Sequence, residues 1–177
     1  MKDWKCFSIV LCVLCMCSFF SGCESLTRRR DLSVTEMERM YLANQADFYS
    51  VQKQIVSLFE DRGDLSKGPT LRVSRSDTEN DNSDGASEAA LILSTDLSIP
   101  EAERLALLQA AEPLFDQSPI LFIFANDHEI YFYYFEEWGY EHYVAYRADG
   151  EIPRGSFGNV EAYQQIDSNW YAVISHD

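Results

Sequence analysis

The chain has 177 residues, room for one ordinary domain, and 46% of them are apolar and 14% aromatic, so it is built to bury a core. A formal net charge of −15 repels phosphate backbones, which excludes general nucleic-acid binding and favours cationic partners. All five cysteines (Cys6, Cys12, Cys15, Cys17 and Cys23) fall near the start, so the remainder carries no disulfide, thiolate metal site or cysteine nucleophile.

The first residues, MKDWK, carry Lys2 and Lys5, and residues 6–20 hold no charge. Ser21-Gly22 then precedes Cys23, giving the basic, apolar and small-residue order of a secretory signal. The apolar run is shorter than the roughly 20 residues an ordinary spanning helix needs. Phe20-Ser21-Gly22-Cys23 resembles the lipobox of bacterial lipoproteins, an aliphatic residue followed by two small residues and a cysteine. Phe20 departs from the usual leucine, and the resemblance is confined to residues 1–23.

That resemblance implies removal of residues 1–22 as a signal peptide and a diacylglycerol thioether on Cys23, with room for a third chain on its new amino group. It also implies an extracytoplasmic chain held by lipid to the cell membrane or outer membrane. Acyl chains contribute about 0.8 kcal/mol per buried methylene, and two suffice for stable anchoring. Losing Asp3, Lys2 and Lys5 leaves 28 acids against 12 bases, a net −16. Residues 23–32 become a lipidated tether. Its Arg28-Arg29-Arg30 can reach anionic headgroups, at about 1 kcal/mol each, or serve as a plain solvated linker.

Residues 33–177 read as a single α+β domain. Ser33-Val34-Thr35-Glu36 fits a capping box. Val34, Met37, Tyr41, Phe48, Val51, Ile55 and Phe59 follow at helical spacing and predict one long amphipathic helix over residues 34–60, stopped at Asp61-Arg62-Gly63. TLRVSR (70–75) suits a short strand, residues 76–87 a flexible acidic loop, and residues 88–94 either a strand or a helix. Ser98-Ile99-Pro100-Glu101 fits a second capping box. The helix it opens is expected to run to about residue 115, with Leu105, Leu108, Ala111 and Leu114 or Phe115 inward and Pro113 closing or distorting its end. From residue 118 the aromatic and branched runs ILFIFA, EIYFYYF, YEHYVAYR and WYAVIS alternate with the turn signals Asn126-Asp127, Trp138-Gly139 and Asp149-Gly150. Strands are expected at 119–125, 129–136, 140–148 and 169–175, the last paired with 161–166. Helices followed by strands indicate two helices packed on a C-terminal antiparallel meander of about four to five strands.

Four groups of residues are candidates for chemistry. DTENDNSDGASE offers a calcium loop, with Asp77, Glu79, Asp81, Ser83 and Glu88 at ligand positions. Asn82 replaces the usual glycine and no good helix leads in, so the reading taken is a solvated acidic loop with no metal or other cofactor. His142 is expected opposite residue 135, about 23 Å along the strand from His128, so the two cannot share a metal or form a dyad. Both read as surface or edge residues, and His176 as frayed. Glu136, Glu137 and Glu141 cluster around a turn, as paired carboxylates do in glycoside hydrolysis. Finally, the aromatic strand does not alternate with polar residues. It is either covered on both faces or shows a tyrosine surface of Tyr131, Tyr133, Trp138 and Tyr140 to a glycan or an envelope protein. The functional expectation is a membrane-anchored, non-catalytic binding or assembly module. The alternative is an envelope hydrolase using the paired carboxylates.

Overall fold

Ser33 opens the first helix with a reciprocal pair of bonds. Its Oγ accepts the Glu36 amide at 3.3 Å, and Glu36 Oε2 accepts the Ser33 amide at 3.0 Å, forming the expected capping box. The computed structural model describes residues 32–60, 69–76, 90–137, 139–153, 155 and 158–177. Residues 1–31, with Cys23 and the three arginines, lie outside the described residues, as do Asp77 to Ala89 and Trp138.

The described chain forms α1 (Val34–Ala43), α2 (Gln45–Glu60), β1 (Leu71–Arg75), β2 (Leu91–Thr95), α3 (Glu101–Gln117), β3 (Phe122–Ala125), β4 (Glu129–Glu137), β5 (Tyr140–Arg147), β6 (Asn159–Asp167) and β7 (Trp170–His176). It is a mixed α+β fold. The single helix expected over 34–60 is two. Asn44 adopts φ −123° and ψ 24°, outside helical values; its amide still bonds the Met40 and Tyr41 carbonyls, and its side chain adds a second donor to Met40 at 2.9 Å, capping the end of α1. The Asn44 carbonyl then accepts the Asp47 and Phe48 amides and starts α2. The apolar stripe survives the break, because Met37, Tyr41, Phe48, Val51, Ile55 and Phe59 are all buried.

α3 also departs from expectation. Pro100 occupies its N-cap with no side-chain cap bond, so the box expected from Ser98 does not form, and the helix runs through Pro113 to Gln117. Leu107, Ala111, Leu114 and Phe115 are buried, whereas Leu105 is exposed. Repeated steps of three residues fall short of the 3.6-residue turn and slide off one face. The observed steps of four and three hold it.

The strands make one antiparallel sheet in the order β2-β1-β3-β4-β5-β7-β6, seven strands where about four to five were expected. The two additional members of the sheet are short. β1 and β2 have five residues each and pair across an intervening polar segment. β4 and β5 carry a bulge at Tyr134, beyond which Phe135 pairs with His142, the register expected from a turn at Trp138-Gly139. Gly139 supplies the positive φ, +84°, for that turn. β5 does not continue through Asp149-Gly150 into an adjacent strand. It pairs with β7, and β6 lies outside β7 at the edge.

Strand alternation sends Ile130, Phe132, Val144 and Trp170 to one face, where they form a core with the buried residues of all three helices. Phe48 sits at its centre, 4.7 Å from the Phe132 ring and 5.8 Å from Trp170, and Tyr41 lies 5.1 Å from Trp170. Such tilted and edge-on pairs add roughly 0.5–1.5 kcal/mol each beyond the area they bury. This packing holds the helices on the sheet and fixes what each end of the sheet displays.

Candidate functional site

The second face of the sheet carries its own aromatic cluster of Phe122, Tyr131, Tyr133, Tyr143, Tyr171 and Val173, all buried. Phe122 stacks on Tyr133 at 4.5 Å, and Tyr131 stands edge-on to Tyr143 at 5.2 Å. The Arg72 guanidinium lies 3.8 Å over the Phe122 ring. Burial pushes the Tyr131 hydroxyl well above the usual phenol range, helped by its bond to the Glu129 carboxylate, and burial does the same to Tyr143.

The three described residues of the suggested binding surface do not form one exposed patch. Tyr131 and Tyr133 are together, 5.9 Å apart, but only 4% and 3% exposed. Tyr140 is 48% exposed and alternates to the opposite face, where its ring meets His176 at 6.0 Å. Trp138 is outside the described residues, as are the calcium candidates Asp77, Glu79, Asp81 and Glu88. Among the described residues no cluster of three or more His, Cys, Asp or Glu side chains could hold a metal ion.

His142 and His176 differ from the sequence reading, whereas His128 lies at the surface as expected. His142 is buried beside Phe135, with rings 5.1 Å apart, and its Nδ1 donates to the Leu32 carbonyl at 2.8 Å. A carbonyl only accepts, so this contact fixes the proton on Nδ1. His176 is paired in β7 and not frayed. His128 is exposed on the β3–β4 turn, with Nε2 3.2 Å from Asp127 Oδ2.

The carboxylate cluster is split between environments. Glu136 and Glu141 are direct cross-strand partners, yet Glu136 is exposed and Glu141 is fully buried, accepting the Ser175 hydroxyl at 3.0 Å. Gly155 covers it so closely that a Cβ there would stand 2.4 Å from Glu141 Oε2. Glu141 is thus closed over, without the open approach a substrate needs.

One groove unites elements that the sequence left separate. It encloses about 350 Å³ between the last turns of α2, the β3–β4 turn and the outer ends of β4 and β5. Ile55, Phe59, Ile130 and Tyr146 are its apolar members, with Glu60, Asn126, Asp127 and His128 at its polar edge. The turn is rigidly built. Asn126 Oδ1 accepts the His128 and Glu129 amides at 2.9 Å each, and its own amide donates to the Glu129 carbonyl. Behind it Arg147 is fully engaged, bonding Glu129 at 2.8 Å, Asp149 at 2.7 Å and Glu151 at 3.2 Å. The bond from Arg147 is the main cause of the lowered Asp149 pKa.

No known family model, curated protein or solved structure matches this chain. Among the described residues no helix is long and apolar enough to cross a membrane. The groove residues were visible in sequence only as a helical stripe and a turn signal. Their convergence depends on the antiparallel sheet bringing the start of β4 and the end of β5 beside the end of α2.

Proposed function

We propose that this chain is a bacterial cell-envelope lipoprotein, anchored through lipid on Cys23, whose folded part is a non-catalytic binding or assembly module. One observation carries the anchor: Phe20-Ser21-Gly22-Cys23 directly after fifteen uncharged residues and a basic start. The binding role is supported by a preformed groove of a size common for small ligands, with an apolar floor and a few polar groups. The hydrolase alternative draws less support, because Glu141 is buried under Gly155 and bonded to Ser175.

The test is Cys23→Ala, followed by fractionation of the producing cells and intact-mass measurement of both proteins. The unaltered chain is expected in the membrane fraction, lacking residues 1–22 and carrying an acyl increment. The variant is expected to lose the membrane attachment and the acyl increment. Membrane attachment that survives the substitution, or an unaltered chain retaining Met1, defeats the proposal.

A further inference from the structure

We infer that the groove between α2 and the β3–β4 turn is a binding site for a small organic cation with an apolar body. The inference deepens the binding-module reading and rests on it. Four observations carry it. The groove encloses about 350 Å³, within the range of small-molecule sites. Its floor of Ile55, Phe59, Ile130 and Tyr146 can take an aliphatic or aromatic body. Its rim carries Glu60, Asp127 and His128, whose Nε2 lies 3.2 Å from Asp127 Oδ2, and among the described residues none of its lining is Lys or Arg. The sixteen-residue α2 ends at Glu60 with no basic residue in its last turn, so the negative pole of that helix meets the rim without a cation of its own element.

Among the described residues, Arg147 behind the turn is engaged by Glu129, Asp149 and Glu151, so its charge is not directed to Glu60 or Asp127. An ammonium or amidinium placed between Glu60 and Asp127 would complete this arrangement, with its hydrocarbon portion lying on the floor. An anion would meet repulsion, and a neutral isostere would gain only the apolar contact.

The test uses the full chain in phosphatidylcholine nanodiscs, with isoleucine methyl resonances as the readout and empty nanodiscs as the blank. Phenethylamine is compared with phenethyl alcohol and phenylacetate. Phenethylamine is expected to shift the Ile55 and Ile130 methyls saturably and to bind at least about tenfold more tightly than the alcohol, with phenylacetate binding least. The double variant Glu60→Gln, Asp127→Asn is expected to keep its fold and bring amine and alcohol within about twofold. Equal affinities in the unaltered chain, shifts confined to other isoleucines, or no saturable shift at millimolar amine would each overturn the inference. The mass spectrum of Cys23 reads the anchor separately, so an acylated chain that ignores the amine loses the ligand class alone.

Discussion

Asp167 Oδ2 accepts the Tyr49 hydroxyl at 2.7 Å, joining α2 to the turn between β6 and β7. The same oxygen takes the Tyr41 hydroxyl and the Gln45 amide at 3.3 Å each, so one carboxylate ties both sides of the helix break to the sheet. The Tyr49 bond is the main cause that lowers the Asp167 pKa below its ordinary 3.8. A depressed carboxyl contributes stability that is present above the unfolded value and lost as pH falls through the folded one. The urea midpoint of the unaltered protein should exceed that of Asp167→Asn by a constant amount from neutral pH down to about pH 4, then converge with it below. Tyr49→Phe should cost about 0.5–1 kcal/mol, below the roughly 1.5–3 kcal/mol usual for a hydrogen bond to a charged group, because the pair is open to solvent. A gap that widens on acidification would contradict this assignment.

Gly155 and Gly158 both have positive φ, +63° and +79°, but their surroundings differ. A Cβ at Gly155 would approach Glu141 Oε2 to 2.4 Å and the Tyr143 hydroxyl to 2.9 Å, whereas one at Gly158 would meet nothing within 4 Å. Gly158→Ala should therefore cost about 1 kcal/mol of backbone strain. Gly155→Ala should cost about 2–4 kcal/mol, since Glu141 is fully buried and held by Ser175. Chemical unfolding of the two variants side by side checks the order, and equal losses would show that Glu141 yields freely.

What the sequence made legible was local. The Ser33 capping box, the helical stripe from Met37 to Phe59 and the Phe135–His142 register each depend on neighbours a few residues apart, and each is present. The break at Asn44 was hidden because an asparagine side chain can face water or take the Met40 carbonyl, and spacing alone does not choose. β2 was ambiguous because LILST is too short to show a period, and its partner β1 lies across the acidic segment. Asp149-Gly150 marked a turn but did not say which strand β5 pairs with, since strand order is a long-range property. For the site, the same limit explains why the tyrosines stood out as a run while the groove did not. Tyr131 and Tyr133 are adjacent on one strand face, whereas Phe59 and Asp127 meet only after folding.

His142 is a strut between the sheet and the beginning of α1. Its buried Nδ1 bonds the carbonyl of Leu32, itself only 5% exposed, immediately before the Ser33 cap. His142→Ala should leave that carbonyl unsatisfied and open a void, costing about 2–3 kcal/mol. His142→Asn, whose amide can donate near the Nδ1 position, should recover part of the loss. Hydrogen exchange should report the effect locally, with the amides at the start of α1 losing more protection in the alanine variant than in the asparagine one. Uniform loss across the sheet and helix would argue against a local strut.

The buried tyrosines set an upper pH limit for the fold. Burial raises the hydroxyl pKa of Tyr41, Tyr131, Tyr134 and Tyr143, and the bond to Asp167 chiefly raises that of Tyr49. Above the ordinary phenol value of 10.0 the unfolded chain releases protons that the folded chain keeps, so stability falls as pH rises. Tyrosinate absorbance should therefore increase in two stages. Accessible hydroxyls should titrate reversibly with the secondary structure intact, and the buried group should follow in a steep step coincident with the loss of far-ultraviolet dichroism. Tyr131→Phe removes a hydroxyl but also leaves Glu129 without one of its donors, so it should shift that step upward while lowering stability at neutral pH. A single shallow titration with the fold intact would mean that the second sheet face admits water, and the aromatic cluster would then have to be treated as an open surface.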